Sequence, residues 1–169
     1  MKTRSGIVIL LIAVVALLLW AAPVLASSQL NSYEQQLAKL INHERTSRGL
    51  ASLGINDSLV GSARAHSSDM VQRKYFSHDS PAPNAETWSS RIVRYGYKRS
   101  GCRFWEAGED LYKGKQLFGS PVAAVDAWMH SAGHRAVILT KVFRDMGVGA
   151  VQSGDSWYFT LDLGRRIVK

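Results

Sequence analysis

The chain has 169 residues, a formal net charge of +8, a single cysteine and a mean hydropathy of −0.08. That length suits one domain with a real core, and one cysteine excludes both an internal disulfide and a Cys-based metal motif. The basic residues form no run and do not interleave with aromatics, so nucleic-acid binding is not expected; the charge reads either as a solvated surface or as attraction to an anionic envelope or wall polymer.

The chain opens on the three zones of a secretory signal. Lys2 and Arg4 form a basic head, Ile7 to Trp20 is a 14-residue run without a polar side chain, and Ala21 to Ala26 carries small residues and a proline. Val24-Leu25-Ala26 suits cleavage after Ala26, leaving 143 residues at 27–169 and lowering the net charge to +6. The competing reading is an uncleaved anchor, because Ile7 to Ala26 is uncharged over 20 residues and long enough to span a bilayer. Either way the basic head stays inside and the domain lies outside.

In the domain, Ser32 and Gln35 fit a capping box. Tyr33, Leu37, Leu40, Ile41 and Glu44 follow at helical spacing, and Gly49 ends that helix. Asp57 or Ser58 caps a second helix, whose stripe of Leu59, Ala63, His66 and Met70 puts His66 on the apolar face. Residues 77–88 are rich in turn formers and read as loop. A short helix is expected from Trp88 to Tyr95 and a strand from Tyr97 to Glu106, with Cys102 as a buried, inert thiol. Ser120-Pro121 opens a helix lined by Val122, Val125, Trp128 and Met129. Gly133 interrupts it before one or two further turns from His134 to Leu139. Met146, Val148 and Ala150, then Trp157, Phe159, Leu161 and Leu163, alternate as two strands around Ser153-Gly154-Asp155. Helices first and a hairpin last predict an α+β domain.

The histidines are His43, His66, His78, His130 and His134. His43 reads as surface and His66 as a hydrogen-bonded, half-buried residue. His130 and His134 stand four apart, but Gly133 lies between them and no Glu follows His130, so as a metal pair they are weak. His78 sits in a turn-rich loop, and Glu109 and His134 each follow a glycine at an expected junction, where backbone and ligand can approach closely.

Five segments occur in order: LINHERTSRGL, ARAHSSDMVQRKYFSHDSP, AGEDL, VDAWMHSAGHRAVIL and FRDMGVGAV. Together they resemble the bacterial branch of the CAP superfamily, the family of cysteine-rich secretory, plant pathogenesis-related and venom-allergen proteins, from about Leu37 to Leu163. The resemblance implies an α-β-α sandwich, a central antiparallel sheet covered by helices on both sides. It also implies a cavity where two histidines and a glutamate can hold a divalent cation such as zinc. By position these are His78 after YFS, Glu109 in GED and His134 in GHR. The chain departs from the family pattern in three places. Asp110 and Val137 stand where Asn is usual, and Met129, His130 and Ser131 follow Trp128 without the second glutamate that many members carry. His130 or His66 is a candidate to replace it. Two imidazoles and a carboxylate make an open metal-ligand set, able to lower the pKa of bound water.

The function expected from these features is a secreted binding or interaction module. Its partner would be an extracellular protein, a wall polymer or a lipid, with membrane contact only if the signal is retained. A hydrolase using the same cavity, either metal-assisted or with a serine such as Ser77 or Ser80 beside His78 as nucleophile and a histidine as base, and a lipid or sterol carrier are the alternatives.

Overall fold

The computed structural model describes residues 29–169; the export signal and its cleavage point lie outside the described residues. The elements are α1 (Ser32–Thr46), β1 (Gly54–Ile55), α2 (Asp57–Arg73), α3 (Trp88–Arg94), β2 (Cys102–Lys115), α4 (Pro121–His130), α5 (Ala132–Ile138), β3 (Asp145–Ser153) and β4 (Ser156–Val168), with a 3-10 turn at Gln116–Phe118. The sheet order is β1-β3-β4-β2. β2, β4 and β3 pair antiparallel, as expected, while two-residue β1 adds to β3 in parallel and makes the sheet mixed.

Two of the helix starts differ from expectation by one residue. Asn31, not Ser32, caps α1: its side chain accepts from the Glu34 amide at 2.9 Å and its own amide donates to Glu34 Oε2 at 2.8 Å. Glu34 wins over Gln35 because it is also held by Arg64, at 2.5 and 2.8 Å. Asn56 caps α2 by accepting from Ser58 and Leu59, which leaves Asp57 in the first turn, where an acidic side chain suits the helix dipole. Ser120 caps α4 as its spacing predicts. Val122 is 55% exposed, however, because the buried stripe runs through Pro121, Ala124, Val125 and Trp128.

The strand expected at Tyr97–Glu106 starts later and runs much further. Tyr97 is instead a buried plug beneath the sheet, its hydroxyl donating to Asp145 at 2.6 Å. β2 then continues through Gly108, Glu109 and Asp110, which read as a junction because both faces of the strand are covered there and apolar alternation is lost. Cys102 is half-buried rather than buried, at the frayed end of β2, its thiol turned toward the Lys98 carbonyl.

The two faces of the sheet differ in kind. Met146, Val148, Ala150, Phe159, Leu161 and Leu163 meet α1 and α4 in the main hydrophobic core, where Trp128 donates to the Leu111 carbonyl at 2.9 Å. The opposite face carries Gly147, Gly149, Thr160 and Asp162, and α2 lies directly on it. A Cβ at Gly147 would stand 2.0 Å from the Leu59 carbonyl carbon, and one at Gly149 2.4 Å from Ala63. Small residues thus let helix backbone touch strand backbone. Ser67 bonds Thr160 at 2.9 Å across that contact. With α2 and α3 on one side and α1, α4 and α5 on the other, the three-layer sandwich is formed.

Candidate functional site

Glu109 is the centre of a polar cluster at the edge strand β2. Its side chain is 1% exposed, and both carboxylate oxygens are occupied. Oε1 accepts from His78 Nδ1 at 2.8 Å, and Oε2 is bonded to Arg91 Nη2. Arg91, buried on α3, also donates from Nη1 to the His78 carbonyl at 3.3 Å. One guanidinium therefore fixes both the carboxylate and the backbone of the residue that the carboxylate orients.

A second set of contacts holds the same loop from α2. His66, wholly buried, meets the Ser77 carbonyl through Nε2 at 2.9 Å, one residue before His78. Asp69 Oδ2 accepts from Tyr75 at 2.5 Å and from Ser80 at 3.1 Å, and Asp79 accepts from the Trp88 amide at 2.9 Å. The YFSHDS segment is thus tied down on both sides of His78, whose side chain remains 48% exposed. His66, Arg91, Asp69 and Ser80 also line a polar cavity of about 290 Å³ that opens between α2 and α3.

The electrostatics separate the imidazoles. The hydrogen bond to Glu109 raises the pKa of His78. Burial lowers that of His134, and so does the nearby charge of His78. Burial, the largest influence on it, lowers the pKa of His66. Asp162 faces Glu109 across the strand pair; burial, followed by the Glu109 charge, pushes its carboxyl well above the usual range. Asp110 is likewise pushed up to about 8 by burial and by Glu109. Arg91 thus pairs with Glu109, while burial beside it disfavours the charged forms of Asp162 and Asp110.

Of the expected site residues, His78 and Glu109 are in contact, and His134 on α5 lies near enough to sense the charge on His78. His130 does not join them. α4 ends at His130 and α5 begins at Ala132, so the four-residue spacing to His134 does not run along one helix, and the His130 ring bonds the Asp126 carbonyl at 2.8 Å at the surface. His66 instead meets the loop backbone at Ser77. Among the described residues, no three His, Cys, Asp or Glu side chains are gathered as a ready metal shell. Sequence reasoning missed Arg91. Its signal was a charged residue within the apolar spacing of Trp88, Ile92 and Tyr95.

Residues 38–163 match the cysteine-rich secretory protein family, CAP. The uncharacterized protein YkwD of Bacillus subtilis (strain 168) is 40% identical over 132 residues, which cover 78% of this chain and 48% of that protein. An extracellular protein containing a SCP domain from Bacillus anthracis str. Ames, solved as a crystal structure, is 32% identical with a TM-score of 0.64, over 79% of this chain and 40% of that one. The chain thus spans less than half the length of either relative. A crystal structure of NaASP2 with Zn2+ shares the fold, with a TM-score of 0.53 at 11% identity over 78% of each chain.

Proposed function

The chain belongs to the cysteine-rich secretory protein (CAP) family, and on that premise we propose that it is an extracellular binding module whose His78–Glu109–His134 cluster holds a divalent transition-metal cation. The observation that carries this reading is the hydrogen bond from His78 Nδ1 to Glu109, itself clamped by buried Arg91. A carboxylate on one ring nitrogen fixes the tautomer and aims the other nitrogen outward as a donor, which is how metal-binding imidazoles are usually prepared. The donor set fits such a cation. His78 Nε2 and the His134 ring, whose pKa burial lowers, are the groups to hold it. Glu109, with both oxygens engaged, acts through His78 rather than as a third ligand. When bound, the cation would supply a Lewis-acidic centre open to water or to an oxygen donor of a partner. The extracellular setting is supported by the export signal read at residues 1–26 and by the B. anthracis relative.

Calorimetric titration of the exported protein with zinc tests this. Binding is expected in the wild type and lost in both His78→Ala and His134→Ala, with thermal melts showing that the variants remain folded. Binding that is absent, or unchanged in both variants, would leave the cluster as a device that fastens the loop to the sheet.

A further inference from the structure

Six of the nineteen lysines and arginines of residues 29–169 lie at one end of the sheet. Residues 29–169 carry a net +6. The segment before β2 and the end of β4 meet there, with Trp105 opposite Arg166, Glu106 opposite Arg165, and the Lys169 amide on the Gly101 carbonyl at 3.0 Å. Lys98, Arg99, Arg103, Arg165, Arg166 and Lys169 therefore lie at this end of the sheet, Arg166 on the same face as Trp105 and Arg165 on the other face opposite Glu106, with Glu86 and Asp145 as further acidic neighbours.

Two of the guanidinium groups are held in place. Arg99 stacks on Trp105 at 4.4 Å and Arg166 on Tyr97 at 5.1 Å, measured to the ring centroids. The rings are anchored in turn: Trp105 donates from Nε1 to the Tyr97 carbonyl at 3.1 Å, and Tyr97 is buried. A stacked guanidinium keeps its in-plane N–H donors facing outward, ready for the paired oxygens of a phosphate. Beside Arg99 and Trp105 lies an open cavity of about 470 Å³ that also includes Val93, Ser89 and Ser90. Its mixed lining suits a polyol or sugar unit between charges.

We propose that this basic end is a binding surface for a polyol-phosphate polymer of the cell wall, with Arg99 and Arg166 gripping successive phosphodiesters. Two other polyanions fit less well. Nucleic-acid bases need open aromatic faces, whereas Trp105 and Tyr97 are each capped by an arginine. A membrane surface is bound by apolar side chains inserted beside the cations; the two most exposed, Leu117 and Phe118, lie beyond the far end of the 14-residue β2, and β4 adds only Val168, a small side chain, at the basic end. The choice of a wall polymer rests on the extracellular reading above. The patch is separate from the histidine cluster, so the two readings can fail independently.

The test is calorimetric titration of the exported protein with a delipidated poly(glycerol phosphate) chain at several salt concentrations. Anionic phospholipid vesicles and a single-stranded oligonucleotide with the same number of phosphates serve as separate arms. Binding is expected to weaken linearly in log[salt]. In the Arg99→Gln, Arg166→Gln double variant the slope should fall by about two and the affinity at least about ten-fold, while zinc titration is unchanged. Lys113→Gln with Lys115→Gln removes the same charge from the far end of β2 and should leave affinity within about two-fold, since exposed charges that far apart are screened. Absence of polymer binding, equal losses in the two double variants, or tighter binding to vesicles or oligonucleotide would each overturn the proposal.

Discussion

Two arginines hold this molecule together where sequence patterns show only charge. Arg45 is fully buried at the end of α1 and donates to the carbonyls of Ala51, Ile138, Thr140 and Phe143, at 3.0, 2.6, 3.0 and 3.4 Å. Burial lowers its pKa, followed by the charge of Arg144. Arg45→Leu strands those carbonyls and should cost about 3 kcal/mol or more in a denaturant melt; a loss under about 1 kcal/mol would show that water or neighbours can replace it. Arg91 plays the corresponding part for the candidate site, and its removal leaves Glu109 buried without its cation. His78 offers a pH test in metal-free protein. Its folded-state pKa is raised by Glu109, so its stabilising contribution is complete below the unfolded value of about 6.5 and fades as pH rises through the raised value. His78→Gln should therefore cost more stability at pH 6 than at pH 8.5. His66 works in the opposite sense: burial lowers its pKa, so the wild type should lose stability as pH falls below about 6.5. A His78→Gln cost that is the same at both pH values would mean that the bond to Glu109 adds nothing beyond a neutral contact.

At the scale of elements, the sheet packs by opposite rules on its two faces. Phe159 fills the large-residue core beside Tyr33 at 6.3 Å and Trp157 at 5.9 Å, two rings that stack on each other at 4.1 Å. Phe159→Ala is expected to cost about 3–5 kcal/mol. On the α2 face it is the absence of side chains that matters. Gly147→Ala would drive a methyl group into helix backbone, a contact that no rotamer change relieves, and should cost about 3 kcal/mol or more. It should also loosen α2, and with it His66 and the His78 loop. Amide hydrogen exchange would report this as faster exchange in α2 than in α1. Uniform protection in both helices would mean that α2 shifts as a rigid body to make room. Alternation made the hairpin strands legible. The same alternation concealed β2, because a strand covered on both faces and interrupted by Gly108 carries no period-two signal.

At the scale of the molecule, the sandwich sets the polar cluster and the basic patch on separate regions of one small domain. Among the described residues no helix is long and apolar enough to cross a membrane. The anchor-or-signal question therefore rests with residues 1–26. If they are a cleaved signal, N-terminal sequencing of the protein from the medium or envelope should begin at Ser27; recovery of intact Met1 in a membrane fraction would establish the anchor instead.

Local chemistry was enough to determine the α+β class, the helix that starts at Ser120-Pro121, the β3–β4 hairpin and the place of His66 on the apolar face of α2, because each rests on spacing or capping between near neighbours; that the His66 ring is wholly rather than half-buried came from packing. The five ordered segments identified the family. Only the tertiary structure decided which polar groups meet. His78 and Glu109 are 31 residues apart, and a contact at that separation depends on how α2, α3 and the sheet edge pack, which no local period encodes. Tertiary contact also explains why Glu34 outcompeted Gln35 for the α1 cap, why His130 stands apart from His134, and why Arg91 belongs to the site. In each case a buried charge or a helix break outweighed a local preference worth about 1 kcal/mol or less.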